Sequence, residues 1–148
     1  MANLMAGNVA FLTHKMPWDE LRSLYLSHDV YVNTSVGEGY GLIPLEAMAA
    51  GLLVISPRHT GMADFLHAGN AWLMPTQPVK AHYGVPTVVQ APKLSALKAL
   101  LRHAVETPWV QTEALRQRAA QEARRLSWQH TADGVIQALQ RYAGGLVG

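Results

Sequence analysis

Residues 35–51 read S-V-G-E-G-Y-G-L-I-P-L-E-A-M-A-A-G. A strand-like run, Asp29 to Thr34, leads into this stretch. Glycines at 37, 39 and 41 then form a turn, Pro44 opens a short helix, and Gly51 closes it. Glycine at every second position permits positive φ and lets a ligand approach the backbone without Cβ atoms in the way. Proline suits a first helical turn, because its fixed φ is helical and its missing N–H would have had no partner there. The unpaired amides of such a helix start, aided by the helix dipole, make an anion site, and a diphosphate is its natural guest.

Two carboxylates flank this turn, Glu38 and Glu46, with seven residues between them. Glu46 is expected in the first turn of the helix, where a carboxylate repels phosphate. Ionised, it only accepts hydrogen bonds, which suits the vicinal diol of a ribose. Glu38 offers the same to sugar hydroxyls. A plainer reading stands beside this one: Glu46 stabilises a helix N-terminus by roughly 0.3–1 kcal/mol, and Gly39 and Gly41 are turn residues. Competing phosphate motifs fit poorly. A dinucleotide fingerprint requires glycine at position 42, which is Leu, and a P-loop requires a lysine that this stretch lacks.

The 148 residues suffice for one domain with its own core. At 49% hydrophobic and 15% charged, without low-complexity tracts, the composition is that of a globular protein. Zero cysteines exclude a disulfide framework and any thiolate metal site. No apolar run approaches the roughly 20 residues of a membrane span, and Met1 to Gly7 lacks the features of a secretory signal. These readings place the chain in the cytoplasm. A net charge of +2 is too small to argue for nucleic acid. Basic residues in the later helices, among them Arg116, Arg118, Arg124 and Arg125, read as a solvated face before a peripheral membrane contact. The seven histidines show no paired ligand spacing, so no metal site is expected; no other cofactor is expected either.

In chain order, Val9 to Thr13 reads as a short buried strand. A helix begins at Pro17, with Asp19 and Glu20 in its first turn and Leu21, Leu24 and Tyr25 on its inner face. Leu52 to Ser56 is a fully apolar strand, as in a parallel sheet covered on both faces. Gly61 to His67 reads as a short helix and Ala71 to Met74 as a short strand. Residues 75–92, with four prolines, read as a loop insertion with an extended piece at Thr87–Gln90, from which His82 and Tyr83 could approach an acceptor. Residues 93–142 are helical. Leu94, Leu97, Leu101 and Val105 form an apolar stripe, Thr107–Pro108 and then Trp109, Leu115 and Leu126 define the next helix, and Ser127 caps a last helix carrying Val135, Ile136 and Leu139. Gly144, Gly145 and Gly148 are expected to fray. Alternating strands and helices predict an α/β fold, a doubly wound parallel sheet with a helical C-terminal region.

The run from Glu38 to Gly51, E-G-Y-G-L-I-P-L-E-A-M-A-A-G, resembles the E-x7-E signature of retaining glycosyltransferases of the GT-B fold, family 4 in particular. That family's usual form is E-G-F-G-L-x-x-L-E-A-M-A-x-G-x-P-V-I. The flanks L-Y-L-S-H-D-V-Y-V-N-T-S and L-L-V-I-S-P-R-H-T-G-M-A-D-F-L agree, as does the late S-W-Q-H-T-A-D-G-V-I-Q-A-L-Q-R-Y. The likeness covers residues 8–75 well and 127–142 moderately. It implies that Glu46 binds the ribose of a UDP-, GDP- or ADP-sugar donor. Glu38, with Gly39, Tyr40 and Gly41, contacts the transferred sugar, and the amides of Gly41 and Leu42 meet the diphosphate. Tyr40 stands where Phe is commoner, and Leu52–Leu53 where x-P is frequent.

Matched to that family, the chain is expected to be part of a C-terminal donor-binding domain, an incomplete Rossmann-like sheet lacking its first two strands, the basic clamp for the diphosphate and the acceptor-binding N-terminal domain. In the strand order 3-2-1-4-5-6, Val9–Thr13 then has no partner and Asp29–Thr34 is an exposed edge. Either the first strand moves over to that edge, or a missing domain or second chain covers it. Two alternatives remain open: a non-catalytic nucleotide- or partner-binding remnant of the fold, and a sugar-nucleotide epimerase, against which the E-x7-E pattern argues.

Overall fold

The computed structural model describes residues 4–6, 8–82 and 86–144. In chain order the elements are β1 (Leu4–Ala6), β2 (Val9–Phe11), α1 (Trp18–Leu26), β3 (Val30–Val32), α2 (Leu42–Ala49), β4 (Leu53–Ser56), a 3-10 turn (Thr60–Asp64) and β5 (Trp72–Leu73). There follow β6 (Thr76–His82), β7 (Pro86–Pro92), α3 (Leu94–Glu106), a 3-10 turn (Trp109–Thr112), α4 (Glu113–Arg125) and α5 (Trp128–Gly144).

The centre is a parallel sheet in the order β3-β4-β5, with Val30 opposite Leu53 and Ile55 opposite Trp72. β4 is buried at all four positions. Alternate residues of a strand point to opposite faces, so both faces of β4 are covered, as its unbroken apolar run predicts. α2 packs between β4 and α4. Ala47 and Met48 of α2, Val54 of β4, Met62, Phe65 and Leu66 after it, and Ala119 and Ala123 of α4 form the main core cluster. Alanines at Ala119 and Ala123 allow the two helices close approach. Leu115 and Leu126, expected as anchors, are half-buried beside them.

Several expectations need correction. β2 is exposed along its length rather than buried, and its partner is β1, in an antiparallel hairpin. It neither lacks a partner nor moves across to β3. Among the described residues β3 pairs with β4 alone, so its other side is an open edge. Residues 76–82 and 86–92 form the antiparallel ribbon β6–β7 rather than a loop, and the extended piece expected at Thr87–Gln90 lies within β7. The ribbon's prolines explain how. Lys93 N–H donates to the Pro75 carbonyl at 2.9 Å, which makes that opposed pair a hydrogen-bonded one. Bonded and non-bonded pairs alternate along an antiparallel ladder. Pro92 opposite Thr76, Pro78 opposite Gln90 and Pro86 opposite His82 therefore all fall on non-bonded pairs, where the missing N–H faces outward.

The stripe expected on α3 is also out of phase. Ala96, Leu97, Leu100 and Ala104 are its half-buried residues, while Leu94, Leu101 and Val105 are exposed, Val105 to 88%. Arg116 and Arg118 are not merely solvated. Arg116 Nη1 donates to the Gly51 carbonyl at 3.2 Å, and its guanidinium lies 3.8 Å over the Trp109 ring. Arg118 Nε donates to the Gly69 carbonyl at 2.6 Å. They pin α4 to the turns that lead into β4 and β5. Ser127 caps α5 as expected, its Oγ accepting the His130 N–H at 3.2 Å, but Val135, Ile136 and Leu139 lie exposed. Tyr83, Gly84, Gly145 and Gly148 lie outside the described residues. The chain presents 10349 Å² to solvent, against roughly 7,500 Å² for a folded monomer of this mass. The surplus agrees with the bare β3 edge and the uncovered apolar faces of α3 and α5.

Candidate functional site

The C-terminal ends of β3 and β4 meet through Asn33. Its N–H extends the ladder to the Ile55 carbonyl at 2.8 Å. Its buried side chain donates from Nδ2 to Ser56 Oγ at 3.3 Å and Met62 Sδ at 3.1 Å, while Oδ1 accepts the Ser35 N–H at 3.0 Å. That last bond turns the backbone out of the strand and delivers it into the glycine stretch.

Of the three glycines, Gly41 alone has positive φ, +92°. A Cβ there would lie 2.5 Å from Met62 Cγ, so both backbone and space demand glycine. Gly37 and Gly39 face open space, with nothing within 4 Å of a built Cβ. Gly41 occupies the N-cap of α2, no side chain caps the helix, and the first helical bond runs from Leu45 N–H to the Gly41 carbonyl at 3.2 Å. The helix begins at Leu42, two residues earlier than Pro44 suggests. The Leu42 and Ile43 amides are thus the uncommitted donors, and both residues are exposed. Glu46 consequently falls in the second turn, not the first. This removes the plain reading of it as a dipole-stabilising acid, because that effect fades beyond the first turn.

Glu46 is half-buried and Oε2 accepts the Tyr25 hydroxyl at 3.0 Å. It lines a cavity of about 400 Å³ with Trp18, Asp19, Arg22 and Tyr25, and also one of about 550 Å³ on its other side, toward Trp128 and His130. Glu38 is half-buried too, and its N–H donates to Thr60 Oγ1 at 3.1 Å. Burial, then the charge of Glu38, then that of Glu46, push the Tyr31 hydroxyl up to about 12. Burial, then the bond and charge of Glu46, raise Tyr25 beyond the usual tyrosine range as well. Tyr40 packs its ring on Phe65 with centroids 5.6 Å apart, which anchors the turn from below while Tyr40 itself stays 39% exposed.

The structure therefore brings Glu38, Gly39, Tyr40, Gly41, Leu42 and Glu46 into one region at the carboxyl ends of parallel strands, where open α/β sheets bind ligands. Arg58 does not join them as a cation for a phosphate. Its Nε donates to the Leu66 carbonyl at 2.6 Å and Nη2 to the Ala63 carbonyl at 2.9 Å, closing the 3-10 turn. Residues for which the sequence suggested no role at the site are Tyr25, Asn33, Thr60 and Gly61. A signal for Tyr25 existed: a tyrosine on an inner helix face needs an acceptor for its hydroxyl. Gly61 is required because a Cβ there would run into the Gly39 carbonyl and approach Tyr40 Cα to 2.7 Å.

The family model for Glycosyl transferases group 1 matches residues 2–89. A D-inositol 3-phosphate glycosyltransferase of Rhodococcus opacus is 28% identical over 134 residues, 90% of this chain and 26% of that protein. A sulfoquinovosyl transferase of Arabidopsis thaliana is 39% identical over 66 residues, 45% of this chain and 13% of its own length. An uncharacterized glycosyltransferase of Methanocaldococcus jannaschii is 40% identical over 73 residues, covering 48% of this chain and 19% of that one. The chain thus spans about a quarter or less of the length of these relatives.

Proposed function

This chain belongs to the glycosyl transferases group 1, and from that premise we propose that it is the nucleotide-sugar-binding part of a retaining GT-B enzyme of family 4. The reaction is hexosyl transfer from a UDP-, GDP- or ADP-sugar to a sugar or lipid acceptor. Glu46 accepts from the ribose hydroxyls, Glu38 from hydroxyls of the transferred sugar, and the Gly41–Leu42 backbone meets the diphosphate at the start of α2. Neither carboxylate is a nucleophile. Both orient the donor, while the helix N-terminus stabilises charge building on the leaving diphosphate.

The observation that carries this reading is Glu46 held by the Tyr25 hydroxyl in a cavity wall, on the helix whose uncapped start follows the glycine turn. The acceptor side and further phosphate-binding groups come from a partner at the β3 edge, either an additional domain or a second chain. Arg58, committed to backbone carbonyls, favours a second reading in which the isolated chain binds nucleotide without turnover.

Calorimetric titration of UDP, GDP and ADP, with Glu46→Ala alongside, tests the donor site. Binding of one diphosphate, weakened in the variant, is the expected result. No binding by any of them overturns the donor reading. Single-turnover transfer from the matching sugar donor separates the enzymatic reading from the binding-only one.

A further inference from the structure

Thr60 is the one non-glycine residue with positive φ among the described residues, at 52°. A β-branched side chain in that region crowds its own backbone, so neighbouring contacts must hold it there. Its hydroxyl donates to the His59 carbonyl at 2.8 Å and accepts the Glu38 N–H at 3.1 Å. Gly61, the next residue, lies flat against Gly39 and Tyr40. Thr60 and Gly61 together therefore form the seat on which residues 38–40 rest. Beyond that seat and the packing of the Tyr40 ring on Phe65, little holds that segment. A Cβ at Gly37 or Gly39 would touch nothing, and no described residue hydrogen-bonds the Glu38 carboxylate. Close by in sequence, Ser35 Oγ and His59 Nε2 are buried without partners, so the loops that meet here retain unused polar capacity.

We propose that Thr60 is a positioning residue for the transferred sugar: its hydroxyl fixes the Glu38 backbone, and through it sets where the Glu38 carboxylate meets the sugar. The strained backbone is what brings the hydroxyl to the Glu38 amide. This inference rests on the donor reading, specifically on Glu38 as the sugar contact. It predicts that Thr60 affects recognition of the sugar and not of the nucleotide.

The test uses the full chain and six probes: UDP, GDP, ADP, UDP-glucose, GDP-mannose and ADP-glucose. Affinities are measured for the wild type and for Thr60→Ser, Thr60→Ala and Thr60→Gly. The expected result is that Thr60→Ala and Thr60→Gly weaken the sugar-bearing ligand roughly tenfold relative to its free diphosphate, the size of one lost positioning hydrogen bond. Thr60→Ser keeps the wild-type ratio. Thr60→Gly melts above Thr60→Ala, because glycine accepts this φ without strain, and it keeps the test decisive where Thr60→Ala does not fold. An unchanged ratio in both hydroxyl-free variants, or an equal loss for diphosphate and sugar ligand, overturns the positioning role and leaves the donor reading standing. A wild type that binds none of the six probes overturns both.

Discussion

The Tyr25 hydroxyl donates to Glu46 Oε2 at 3.0 Å, across 21 residues of sequence. This bond joins the inner face of α1 to the helix that follows the glycine turn. It leaves Oε1 of Glu46 for a ligand and restricts the rotamers of the carboxylate. Tyr25→Phe keeps the ring in its packing and deletes the bond. The expected outcome is nucleotide affinity lowered roughly three- to tenfold, the equivalent of about 0.5–1.5 kcal/mol, with little change in melting temperature. Titration of the same diphosphate into both proteins checks it, and equal affinities would show that Glu46 is held by other means.

Glycines of the turn separate into two kinds, which alanine substitution distinguishes. Gly41→Ala places a Cβ against Met62 at a backbone φ of +92°. Strain of that kind costs about 1–3 kcal/mol, so its thermal unfolding should come several degrees early. Gly39→Ala meets nothing and should melt like the wild type. Its loss of affinity for a nucleotide-sugar then reports the ligand's approach to the backbone, uncomplicated by misfolding.

Stability in alkali should reflect Tyr31. Its hydroxyl titrates near 12 in the folded chain and near 10.0 when unperturbed, burial being the main cause. The native state holds the proton more tightly, so the stabilisation is complete below pH 10 and is lost as pH rises from about 10 to 12. Tyr25 shifts in the same direction and adds to the effect. Denaturant midpoints measured across this window should fall more steeply for the wild type than for Tyr31→Phe. Parallel slopes would show that burial of Tyr31 does not hold its proton in the native state.

Excision of the β6–β7 ribbon should be tolerated. Among the described residues its strands contact each other far more than anything else, and Lys93 already closes onto Pro75 at its base. A chain in which a short linker replaces residues 76–92 should melt within a few degrees of the parent. A large drop would show that the ribbon supports α3.

Much of the fold was legible where the demand on the backbone is local. The run from Leu52 to Ser56 marks a strand covered on both sides, and Leu53–Ser56 is one. Leu21, Leu24 and Tyr25 recur at helical spacing, and they are the half-buried residues of α1. Legibility failed where partners lie far apart. The prolines of residues 75–92 look like strand breakers until the register shows that each strand proline falls on a non-bonded pair. The α3 stripe was misread because alanines at 96 and 104 serve the same helical spacing as the leucines, and packing chose the face that contains them.

For the site, the sequence alone determined the strand, the glycine turn, the helix after it and the presence of two carboxylates. Such features depend on φ preferences, helix starts and side-chain chemistry within some fifteen residues. Tertiary structure alone decided how those groups are held. It placed Tyr25 on Glu46, Thr60 on Glu38 and Gly61 under Gly39, and it committed Arg58 to the backbone. Each of these contacts joins segments that only the pairing of β3 with β4, and the packing of the chain around them, brings within hydrogen-bonding or van der Waals reach.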